Sequence, residues 1–160
     1  MRFIIIGSLL VTAVIAAPTM SPSFALMPKF LKEAKPEAQQ EFMAIVTDES
    51  LTINELEEKL NAWAAKQGGD VEKDYKMLEE TAKKDADELN DAAESSSSLS
   101  QAAKDAFKHI DEIAADQNQT VTQLIKTIAN YCENLPVSVL EEVMNFVGDK
   151  MNFLGYDDDE

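Results

Sequence analysis

Oxygen-bearing side chains at alternate positions are the first chemistry this sequence offers. Asp48, Ser50 and Thr52 stand at positions 1, 3 and 5 of a short polar stretch, and Asp116, Asn118 and Thr120 repeat the arrangement. Divalent cations such as Ca2+ and Mg2+ take hard oxygen ligands, and helix–loop–helix cation sites begin with this spacing. The remainder of such a loop departs from the pattern. Ile53 and Val121 occupy the position that needs glycine, and the closing position, normally a bidentate Glu, holds Lys59 and Thr127. If the loop is two residues short, Glu57 closes the first copy, while Ile125 falls at that place in the second. The candidate metal ligands are therefore Asp48, Ser50, Thr52, Glu57, Asp116, Asn118 and Thr120. A capped interhelical loop with no ion accounts for the same residues. Thr52-Ile53-Asn54-Glu55 and Thr120-Val121-Thr122-Gln123 both read as capping boxes, which satisfy two helix-end amides without a metal. Asn118-Gln119-Thr120 is also an N-glycosylation triplet, and a glycan on Asn118 competes with its use as a ligand.

Catalytic chemistry has little to work with. The chain has one His and one Cys, and no glycine-rich phosphate loop or nucleophile elbow. His109 reads as an exposed helix position. Cys132 follows Ile128 by four residues on an apolar stripe and reads as a small core side chain, with a disulfide-linked dimer as the alternative. The protein is expected to be non-enzymatic.

The elements that must position the polar loops are helices. Ile53, Leu56, Leu60, Trp63 and Ala64 recur at spacings of three and four, one stripe of a helix over 53–67. Gly68-Gly69 ends it, and Asp70 is expected to cap a third helix whose stripe is Val71, Tyr75, Leu78, Ala82, Ala86, Leu89 and Ala93. The opposite face, with Glu72, Lys73, Lys76, Glu79 and Glu80, reads as solvated. A first helix starts at Pro36, well placed at the first helical position. Further helices are expected over about 99–115, over 121–134, and from Val139 after a cap at Ser138. The pattern repeats at a constant offset of 68, from Asp48 to Asp116, Thr52 to Thr120 and Trp63 to Tyr131. The fold class is all-α, about six helices in two pseudo-repeated helix–loop–helix–helix halves.

Composition fits this reading. Hydrophobic residues make up 45% of 160, enough for a core, and only five Gly and five Pro interrupt helices. The net charge of −16 without a basic cluster argues against nucleic acid and anionic membranes and favours cations or basic surfaces. Residues 1–16 read as a signal peptide: Arg2, then an apolar run, then small residues. Residues 17–35 read as an extended, proline-broken arm that Phe24, Leu26, Met27, Phe30 and Leu31 allow to dock on the body. Residues 36–154 form the helical domain and 155–160 an acidic tail. The mature chain is expected to be secreted and extracellular, with no membrane span.

Several of these residues carry a resemblance. Glu41-Phe42 through Trp63, then Gly68-Gly69-Asp70 and Tyr75, together with Ile128-Ala129-Asn130-Tyr131 and Leu135-Pro136-Val137-Ser138-Val139, resemble the SXP/RAL family of secreted nematode antigens. The resemblance spans roughly residues 36–147. It implies an all-helical domain similar in arrangement to the calmodulin superfamily, secretion, immunogenicity in hosts and a cation-binding domain, with Mg2+ favoured over Ca2+. The partner so implied is an extracellular or host protein. A second reading, a carrier of a small apolar ligand, draws on the apolar arm (Phe24, Leu26, Met27, Phe30) and on Met43, Met77 and Met144.

Overall fold

The computed structural model describes residues 28–153. The expected signal peptide, the first part of the expected arm with Phe24, Leu26 and Met27, and the expected acidic tail lie outside the described residues. Seven helices follow in order: α1 (Lys29–Glu33), α2 (Pro36–Val46), α3 (Ile53–Gln67), α4 (Gly69–Ser95), α5 (Gln101–Ala114), α6 (Val121–Glu133) and α7 (Val137–Phe153). The all-α expectation is met among the described residues. One helix lies where the arm was expected to be extended: α1, whose Phe30 and Leu31 are buried. Apolar burial against α4 stabilises this short helix, which local propensity alone would not hold.

Helix ends follow the chemistry of their residues. Pro36 opens α2 at a position where no amide partner is needed. Thr52 and Thr120 close complete capping boxes on α3 and α6. Ser100 caps α5, its hydroxyl accepting from the Ala103 amide at 3.2 Å. At the α3–α4 junction Gly68 and Gly69 both adopt positive φ, 64° and 56°. Gly68 ends α3 and is also the N-cap of α4, so the cap expected of Asp70 falls to Gly68. Asp70 sits instead in the first turn, where its charge suits the helix dipole.

The apolar stripes close two hydrophobic clusters. The first joins Phe30, Leu31, Ile53, Leu56, Leu60, Trp63, Ala64 and Tyr75 to Leu124 of α6. Phe30, Phe42, Trp63 and Tyr75 meet edge to face with centroids 5.0–6.4 Å apart. This geometry suits the ring quadrupoles. The second joins Ala93, Leu99, Ala103 and Ala106 to Val139, Val143 and Phe146. Helix α4 serves both clusters, Tyr75 near its start and Ala93 near its end. Helix α6 also reaches both, through Leu124 and Tyr131. The loops before α3 and α6 meet directly. Thr52 and Thr120 form an isolated antiparallel bridge, and the Ile53 and Asn54 amides donate to the Gln119 and Gln117 carbonyls at 2.9 and 3.1 Å.

Candidate metal centre

Each polar loop is tied up locally before any ion is considered. Asp48 Oδ1 accepts from the Ser50 amide at 3.1 Å and from the Ser50 hydroxyl at 2.5 Å. These two donors, with Lys59 within Coulombic range, hold the Asp48 carboxyl below the usual range. Thr52 donates through its amide and its hydroxyl to Glu55 Oε2, both at 2.9 Å, and the Glu55 amide donates back to Thr52 Oγ1 at 3.3 Å. Glu55 is held below its ordinary value by the same Thr52 donors. In the second loop Asp116 Oδ1 accepts from the Asn118 amide at 3.0 Å. The Thr120 amide donates to Gln123 Oε1 at 2.8 Å, and the Gln123 amide donates to Thr120 Oγ1 at 3.2 Å.

Asp48, Ser50, Asp116 and Asn118 are exposed, whereas Thr52, Glu57 and Thr120 are half-buried. The structure therefore brings the two threonines together across the bridge. Among the described residues it does not gather three or more Asp, Glu, His or Cys side chains into one metal-ligating group. A Ca2+ cage of six to eight direct oxygens does not fit these loops. Lys59, at the place of the closing glutamate, sets a fixed positive charge near Asp48 and Glu55.

Glu57 turns elsewhere. Burial, then the neighbouring charge of Glu79, pushes its carboxyl above the ordinary glutamate range. A hydrogen bond with the Gln117 side chain opposes this rise, and Glu58 adds to it. Glu79 accepts from the Tyr75 hydroxyl at 3.0 Å. Burial and Glu79 push the Tyr75 phenol upward as well. Three elements thus converge here: α3 through Glu57, α4 through Tyr75 and Glu79, and the second loop through Gln117. Lys76 lies within Coulombic range of Glu79 but is engaged by Glu72. Two carboxylates from different helices, Glu57 and Glu79, therefore lie within Coulombic range of one another.

Glu79 is the residue that pattern reading misplaces. It is half-buried rather than on a wholly solvated face. Its one local signal is Tyr75, four residues earlier on the apolar stripe. Among the described residues, His109 and Cys132 join no metal-ligating group. His109 is exposed, its ring 4.5 Å from that of Tyr131 and its Nδ1 3.4 Å from Glu112. Cys132 is half-buried rather than fully in the core, and burial raises its thiol. A cleft along α4 is lined by Gly69, Glu72, Lys73, Lys76, Met77 and Glu80, whose exposed lining is more apolar than polar. No helix among the described residues is long and apolar enough to cross a membrane.

Comparison with known proteins agrees with the residues quoted at the outset. The family model described as "SXP/RAL-2 family protein Ani s 5-like, metal-binding domain" matches residues 1–150. The SXP/RAL-2 family protein Ani s 5 of Anisakis simplex is 27% identical over 150 residues, 92% of this chain and 97% of that protein. No solved structure matches. A family match over nearly the whole chain, together with the all-helical fold, places this chain in the SXP/RAL-2 family, among its Ani s 5-like members.

Proposed function

We propose that this chain is a secreted, non-enzymatic SXP/RAL-2 antigen that acts by contact with an extracellular or host protein. In this reading it binds a hydrated divalent cation, Mg2+ in preference to Ca2+, at Glu57 and Glu79. The observation that carries the cation site is the half-buried Glu57 carboxyl beside Glu79, with Gln117 reaching it from the other loop. A divalent ion there relieves the repulsion between the two carboxylates, which the charge of Lys76, itself paired with Glu72, offsets in part. The acidic balance of the chain favours cations in general. The family's description as a metal-binding domain supports the reading.

The same reading takes the two halves as a duplicated helix–loop–helix unit arranged as in the calmodulin superfamily. It is supported by the bridge between Thr52 and Thr120, which stand at equivalent positions 68 residues apart. In this molecule the loops pair through backbone and capping threonines, and the ion sits behind them on α3 and α4. The alternative of an apolar-ligand carrier gains no comparable support. Met77 and Met144 are exposed on the surface, and the α4 cleft is open and bordered by the charged side chains Glu72, Lys73, Lys76 and Glu80.

Calorimetric titration with Mg2+ and with Ca2+ tests the cation site. The wild type is expected to take up Mg2+ more tightly than Ca2+, and Glu57→Gln or Glu79→Gln to weaken Mg2+ by about tenfold or more, roughly 1.4 kcal/mol. Equal binding by wild type and both variants, or none by the wild type, contradicts the site.

A further inference from the structure

We propose that Asn118 carries an N-linked glycan, which takes this residue out of any ligand set. The inference rests on the secreted reading, because the sugar donor is encountered only on the secretory route. Asn118-Gln119-Thr120 is the one Asn-X-Ser/Thr triplet in the chain, and its middle residue is not proline.

The fold leaves the Asn118 side chain outside every contact that holds the loop. The residues on either side face inward: the Gln117 and Gln119 carbonyls accept from the Asn54 and Ile53 amides. Gln119 Nε2 donates to the Ile113 carbonyl at 2.6 Å, and Thr120 caps α6. Asn118 itself contributes its backbone amide, which donates to Asp116 Oδ1 at 3.0 Å, and it is exposed in the turn. A large substituent on its side-chain nitrogen therefore displaces none of these bonds.

The step needs a polyisoprenyl-pyrophosphate-linked oligosaccharide. The Asn118 side-chain nitrogen attacks the anomeric carbon, a C–N bond forms, and the C–O bond to pyrophosphate breaks. The lipid pyrophosphate leaves with the electron pair, and the amide proton passes to a base of the transferring enzyme. The sugar then extends into solvent from the exposed turn that holds Asn118.

The test is secretion of the full chain from a eukaryotic host, once behind its own leader and once behind a heterologous one, as wild type and as Asn118→Gln. Mass spectrometry before and after peptide-N-glycosidase reads the result. The expected wild type is secreted from both leaders with the mass of one glycan, removed by the glycosidase with an aspartate left at position 118. Asn118→Gln is expected to be secreted at the mass of the bare polypeptide. Bare wild type in the medium, or a glycan that survives Asn118→Gln, overturns the glycan while leaving secretion intact. Secretion by the heterologous leader alone overturns both, since the natural chain then never meets the donor.

Discussion

Trp63 ties α2 to α3 through a single polar atom. Its indole Nε1 donates to the Ala38 carbonyl at 2.9 Å while its ring packs between Phe30, Phe42 and Tyr75. Trp63→Ala is expected to cost about 3–5 kcal/mol in urea unfolding, by cavity formation and loss of the ring contacts. Glu57 acts with the opposite sign at neutral pH. Its folded pKa lies above its ordinary value, so its contribution is present below the glutamate range and is lost as pH rises through the raised value. With cations chelated, Glu57→Gln is therefore expected to be more stable than wild type at neutral pH, the difference shrinking on acidification. Thermal melts across pH check this. Asp48 and Glu55, lowered by their loop donors, give stability that is lost only as pH falls through their own values. Trp63 was legible in the sequence because its stripe is local. Glu79 was not: its own helix offers lysines as partners, and the Glu57 carboxylate beside it comes from another helix.

Helix starts were legible where a capping box stands in neighbouring residues, but the cap expected at Ser138 does not form, because α7 already begins at Val137. Both capping boxes form with the residues their sequences specify. The α3–α4 junction was legible as a stop but not as a shared cap, since a glycine's φ is set by the two helices it must join. Gly68 has φ 64° and ψ −169°, a region nearly restricted to glycine, although a Cβ there would meet no atom within 4 Å. Gly148 lies within α7 with equally open surroundings and no positive φ. Gly68→Ala is expected to destabilise by about 1–3 kcal/mol. Gly148→Ala is expected to stabilise by about 0.5–1 kcal/mol. Chemical unfolding of the two variants separates backbone strain from crowding, because neither site is crowded. The short α1 escaped the sequence for a related reason. Between Pro28 and Pro36 stand seven residues, five of them helical, and their helicity comes from burying Phe30 and Leu31, a tertiary cause.

At the scale of the whole molecule, the repeat offset indicated that two loops are alike but not that they touch. Their pairing accompanies the entry of Leu124 into the first cluster, which holds the start of α6 against the residues that α3 buries. Thr120 stands at this junction, capping α6 and bridging Thr52. Thr120→Ala is expected to cost about 1 kcal/mol through the lost cap, read by the same unfolding titration. Most of the candidate cation residues were visible as oxygens in the two loops. The loop geometry engages those oxygens in turns and caps, whereas contacts between helices assemble the Glu57–Glu79 pair. The most direct measurement is an amide-resolved NMR titration of the protein with Mg2+. Shifts are expected to centre on Glu57, Glu79 and Gln117, with the loop amides of Ser50 and Asn118 moving less. Shifts confined to residues 48–52 and 116–120, or none at saturating Mg2+, would contradict a site at Glu57 and Glu79.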